Sequence, residues 1–387
     1  MIDAMKSATW TAGSQERVFV SFFRAFTILI ALTSFILSGL IVRPLRAEAP
    51  SSVSQGWDEG FLNSFREKLL DEFNEFERAN GFGRSFKVKT SERFVFVYDT
   101  SDAYLEWLRA LTEEVAKAFD RFCERLDLEV VPPSEPLVVV VFATREEFDQ
   151  YAFSLIGPQF FEGENKPTGF YNHGNNRSVI FDLTDTEASR VASNDGKARD
   201  DRAFSRRRIN SEARAIKTRG NAGSNTSTIV HEISHQLAFN YGVFSLYRRQ
   251  PDWVVEGMAT TFEPTNDDAP LGWRFRGVFP VNEPRLTAFV HAANTDANLE
   301  ILNDIVTSDR FEKELSIDGY AASWALFYYC YRKKPKELKK YIERLKEREP
   351  RKVYTERERM EEFEECFGDA GVLGKQFVQF IKKLNSR

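Results

Sequence analysis

His231-Glu232-Ile233-Ser234-His235 sets two imidazoles four residues apart, with a carboxylate beside the first. On a helix, residues four apart lie on one face, so both rings can address a single metal ion. Glu232 then falls beside the metal's open position, where it can take a proton from bound water. Only four histidines occur in 387 residues, and two of them flank a glutamate at this spacing. Catalytic zinc takes three protein ligands and keeps a fourth position for water, so a third ligand is needed. With twenty residues between it and His235, room for a turn and a second helix, comes Glu256 in Trp253-Val254-Val255-Glu256-Gly257-Met258-Ala259. The expected ligands of Zn2+ are therefore His231, His235 and Glu256, with Glu232 as general base.

Two helices must carry these groups. Asn225, Thr226, Ser227 and Thr228 are candidate N-caps for the first, and Val230, Ile233, Leu237 and Tyr241 continue its apolar stripe. Pro251-Asp252 marks the start of the second. Upstream, Phe94 to Tyr98 reads as a strand, and Asp99 to Asp102 turns into a long helix ending near Leu126. The wholly apolar Leu137 to Phe142 fits a central strand, and Thr144 with Glu147 signals a capped helix start. Gly169-Phe170-Tyr171, the turn Gly174-Asn175-Asn176 and Ser178 to Phe181 form a hairpin. Phe61, Phe65, Leu69, Phe73 and Phe76 give residues 58–79 an amphipathic helix, and the chain is almost wholly helical from Tyr320 onward. Strands first and helices later predict an α+β fold. The expected divisions are residues 50–90 as an N-terminal helical segment, 91–270 as the catalytic domain, and 271–387 as a helical C-terminal subdomain.

The ligand pattern resembles the gluzincins, zinc peptidases that include the thermolysin-like and aminopeptidase-N-like families. The string from Pro251 to Thr260 is similar to a bacterial branch of domains of unknown function, the peptidase-MA-like proteins, which are typically secreted. The resemblance is specific over residues 228–263 and extends more loosely over about 90–332. It implies a zincin-like domain and a metallopeptidase. It also implies a tyrosine donor for the oxyanion, sixty-four residues after Glu256 at Tyr320. Tyr320 can equally be a core residue beside Trp324, Phe327 and Tyr328. His173 and His291 read as surface or packing residues. Thermolysin-like enzymes place an aspartate four residues after the third ligand, where this chain has Thr260; Glu263 could take its place. The hairpin strand at Gly169 lacks the glutamate with which aminopeptidase-N-like enzymes hold a free amine, which favours an endopeptidase. A binding or scaffold protein that keeps the gluzincin fold without turnover is the alternative.

The N-terminus reads as a targeting segment. Lys6, Arg17 and Arg24 precede an apolar run from Ala25 to Val42, followed by Ala47-Glu48-Ala49. That order fits a signal peptide, while eighteen apolar residues could also anchor the chain in a bilayer. Either use of residues 1–49 takes the folded part out of the cytoplasm. Composition is that of a globular protein, and a net charge of -5 gives no reason to expect nucleic acid. Residues 184–224 hold ten Lys and Arg and read as a basic, flexible insertion. Among the three cysteines, Cys330 and Cys366 could bridge, whereas the apolar surroundings of Cys123 and Cys330 suggest buried thiols.

Overall fold

The computed structural model describes residues 57–157, 167–182, 222–266, 268–293, 300–308 and 318–386. The targeting segment and nearly all of the basic insertion lie outside the described residues. No helix among those residues is long and apolar enough to cross a membrane.

A five-stranded mixed sheet forms the N-terminal half. β1 (Lys87–Thr90), β2 (Phe94–Tyr98), β3 (Leu137–Phe142), β4 (Gly169–Asn172) and β5 (Arg177–Phe181) stand in the order β1-β2-β3-β5-β4. β2, β3 and β5 run parallel, and β1 and β4 close the two edges antiparallel. The parallel core follows from its sequence, because strands covered on both faces need apolar residues at every position. Alternate side chains enter different cores. Phe94, Phe96, Val139 and Val141 face one, and Val95, Val97, Val138 and Val140 the other.

α1 (Glu59–Asn80) and α3 (Arg145–Ile156) cover the second face, through Leu69, Phe73, Phe148 and Tyr151. α2 (Asp102–Leu126) and α4 (Ala222–Asn240) cover the first. Thr144 and Glu147 form the expected capping box at the start of α3. The C-terminal part is helical: α5 (Asp252–Phe262), α6 (Glu283–Ala293), α7 (Glu300–Thr307), α8 (Gly319–Lys333), α9 (Pro335–Lys346), α10 (Glu356–Phe367) and α11 (Ala370–Asn385). The chain is thus an α+β protein with an open mixed sheet followed by helices.

One expectation needs correction, and one strand carried no signal in the sequence. α4 begins at Ala222, so Asn225 to Thr228 lie inside its first turns and do not cap it. Thr228 works sideways instead, its hydroxyl 3.0 Å from that of Thr168 just ahead of β4. β1 has only Val88 as an apolar residue and gave no strand signal; its pairing with β2 and the contacts of Lys87 with Asp102 and Lys89 with Glu106 define it. Lysines on an edge strand also discourage further pairing there. Cys123, Cys330 and Cys366 are all buried and free, which favours the packing reading over a bridge.

Candidate metal centre

α4 lies against the sheet through buried Gln236. Its amide donates to the carbonyl of Val138 at 2.9 Å, and its oxygen accepts from the Ser178 hydroxyl at 3.0 Å. This fixes the rotation of α4 and turns His231 and His235 toward α5. α5 is held in turn by α8, which it approaches at Gly257. A Cβ there would stand 2.5 Å from both the Ser323 carbonyl oxygen and the Phe327 Cβ. Only glycine permits that approach, which explains its place directly after Glu256. Trp253 anchors the start of α5, stacked on Tyr341 at 5.4 Å and edge-on to Phe363.

The two helices bring three ligand atoms together. His231 Nε2 is 3.0 Å from His235 Nε2 and 3.1 Å from Glu256 Oε2, and His235 Nε2 is 3.4 Å from that same oxygen. Ligand atoms about 2.0–2.1 Å from a tetrahedral zinc stand roughly 3.3 Å apart, so the donor set fits such an ion. The group His231, His235 and Glu256 could hold a metal ion. Two neutral imidazoles and a carboxylate aimed at one point repel one another unless a cation or a proton lies between them.

The electrostatics record this crowding. Burial works against a charged His231, yet its hydrogen bonds to Glu256 and Glu263 raise its pKa well above the ordinary value. Burial likewise opposes ionisation of Glu256, but His235 and His231 hold it far below the usual carboxylate range. Burial pushes the Glu232 carboxyl up, and the charge of Glu256 adds to the rise. His231, His235 and a backbone hydrogen bond from Tyr171 pull it back. Glu232 therefore stands as a half-buried carboxyl against edge strand β4, in the same cleft as the candidate ligand atoms.

Glu263 is the outer partner that Thr260 is not. Two turns beyond Glu256, its Oε1 lies 2.9 Å from His231 Nδ1, which leaves Nε2 for the metal. The Thr260 hydroxyl bonds back to the Glu256 carbonyl within the helix. Glu263 is itself clamped by Arg285 at 3.1 and 3.2 Å and by the Asn282 amide at 3.0 Å. The Arg285 guanidinium also lies 5.2 Å from the ring centre of Tyr320. Tyr320 stands at the start of α8, where Asp318 caps its backbone N–H, with its ring 6.1 Å from that of His231. Sequence reasoning missed Asn282 and Arg285, because no spacing rule links a loop and a later helix to the ligand motif.

The remaining histidines separate. His173 packs on Phe239 at 4.3 Å and on Tyr171 at 4.9 Å and lines the cleft. Burial and the nearby His235 lower its pKa. His291 is exposed on α6, away from the cleft.

The family described as Protein of unknown function (DUF1570) matches residues 225–352. No curated protein and no solved structure matches the chain. The matched span holds all three candidate ligand residues, Glu232, Glu263, Arg285 and Tyr320, and it leaves out the sheet.

The outer shell gives a direct prediction. Glu263→Gln should weaken zinc binding about 10- to 100-fold, because the His231 ring loses its charged partner. Competition against a chelator measures this, and an affinity equal to that of wild type would contradict the role.

Proposed function

We propose that the chain is a zinc-dependent metallopeptidase of the gluzincin type, acting as an endopeptidase outside the cytoplasm. The observation that carries this reading is the convergence of His231 Nε2, His235 Nε2 and Glu256 Oε2 in a cleft bordered by a half-paired strand. Export rests on the basic residues, apolar run and small-residue site at the N-terminus.

Bound at this centre, zinc would polarise a substrate carbonyl and supply a water nucleophile near neutral pH. Glu232 would take the proton from the attacking water as the water oxygen joins the carbonyl carbon. It then passes the proton to the leaving nitrogen as the C–N bond breaks, so that water is consumed and no charge is left over. A half-buried carboxyl with a raised pKa suits both halves of this exchange.

β4 supports substrate positioning. Among the described residues it pairs only with β5, so its outer edge can receive an extended peptide as a further strand. Backbone hydrogen bonds would then set the register independent of substrate sequence. Tyr320, its ring 6.1 Å from that of His231 in the same cleft, is the candidate to donate from its phenol to the carbonyl oxygen as that oxygen gains charge. The cleft has a volume of about 560 Å³, open enough for chain on both sides of the cut bond.

The test is hydrolysis of an internally quenched peptide library by the zinc-loaded full-length chain. Cleavage within the peptides, abolished by a chelator and restored by zinc, is the expected result. Zinc uptake without cleavage of any peptide would reject the enzyme and leave a binding protein.

A further inference from the structure

The two walls of the cleft differ in chemistry. β4 and the end of α4 contribute Phe170, Tyr171 and Phe239. In the same lining, the segment between α4 and α5 and the turn after α9 contribute Arg248, Arg249 and Arg351. We propose that this arginine wall binds a carboxylate of the substrate, so that the protein selects acidic peptides. The inference rests on the peptidase reading and names its substrate class.

The wall is built. Arg348, buried beneath it, pairs with buried Glu362, its Nε 3.0 Å from Oε2, and its guanidinium lies 4.4 Å from the ring centre of Tyr354. From this base, Arg348 Nη1 donates to the Arg249 carbonyl at 2.7 Å. Arg248 Nε returns a bond to the Arg348 carbonyl at 2.5 Å. The Arg351 N–H donates to the Tyr247 carbonyl at 3.2 Å. Three reciprocal bonds thus tie two segments a hundred residues apart into one surface. Arg351 is held at a φ of 63°, in the left-handed region that a residue with a Cβ seldom occupies. Such a conformation persists where the surroundings enforce it, and it clusters at binding sites.

Two of these arginines, Arg248 and Arg351, carry the charge that the proposal uses. Among the described residues, no carboxylate lies within ion-pairing distance of the Arg248 or Arg351 guanidinium. Two acidic groups of the cleft have other roles in this reading: Glu256 belongs to the candidate metal ligands and Glu232 to proton transfer. Planar guanidinium groups fixed beside a cleft are suited to a carboxylate, which can take two parallel N–H bonds. That carboxylate can come from an Asp or Glu side chain or from the C-terminus of the peptide.

The test uses quenched peptides of one neutral sequence that carry Glu, Gln or Lys at one position at a time, with the C-terminus free or amidated. Turnover is measured with the full-length chain, and binding with its Glu232→Gln variant. Glu should exceed Gln about tenfold in kcat/KM and in affinity, on one side of the cut bond only, with Lys below both. The preference should shrink as salt rises. Arg351→Gln, which removes no hydrogen bond of the fold, should cut the Glu-to-Gln ratio severalfold, and Arg351→Glu should place Lys ahead of Glu. A tenfold loss on amidation, with Glu and Gln equal, would assign the carboxylate to the C-terminus. Equal values throughout, or a preference unchanged in both Arg351→Glu and Arg248→Gln, would overturn the proposal. Cleavage without preference removes the subsite and leaves the peptidase; preferential binding without cleavage keeps the subsite and removes the peptidase. A chain that neither binds nor cleaves any of the peptides overturns both.

Discussion

The Glu232→Gln variant is expected to bind zinc as the wild type does and to lose about 10²- to 10⁴-fold in kcat. The amide matches the carboxylate in size, and its oxygen can still accept the backbone hydrogen bond from Tyr171. Glu232 is outside the ligand set, so the donor geometry at His231, His235 and Glu256 should survive. What the amide cannot do is accept a proton from water and return it to the leaving nitrogen. The loss should therefore fall on kcat, with KM changed far less, because substrate contacts along β4 remain. Full activity in this variant would assign the proton transfer elsewhere.

Much of this site was legible before any coordinates. Two histidines at helical spacing and a glutamate beyond a turn are local features, and the helices that carry them are marked by their own apolar stripes and by Pro251-Asp252. The apolar run Leu137 to Phe142 announced a central strand, and the structure sets it at the middle of the sheet. The resemblance, rather than the spacing, singled out Tyr320, which the structure places beside His231.

Long-range partnership was not legible. Arg285 meets Glu263 across 22 positions, and Arg348 meets Arg249 across 99. Such pairs depend on how helices and loops return in space, which periodicity does not encode. β1 escaped notice for a related reason: Lys87-Val88-Lys89-Thr90 lacks a strand pattern and becomes one through pairing with β2. The N-cap expectation for α4 failed because Thr226 and Thr228 turn their side chains to the interior and the sheet instead.

Glu256→Ala is expected to have the other largest effect, the loss of the metal itself. Glu256 Oε2 lies against both imidazole nitrogens, and its removal leaves two ligands where catalytic zinc takes three. The fall in affinity should exceed the 10- to 100-fold expected of an outer-shell partner such as Glu263. The fold should persist, because α5 is held through Trp253, Gly257 and Met258, all buried, while Glu256 faces the cleft. Far-ultraviolet circular dichroism of the variant checks this and separates metal loss from unfolding.

Elemental analysis of the purified full-length chain beside Glu256→Ala, both after zinc reconstitution, therefore tests the three-ligand centre most directly. The prediction is about one zinc per wild-type chain and a clear loss in a variant that remains folded. No metal in the wild type, or equal zinc in both, would contradict the centre and the peptidase built on it.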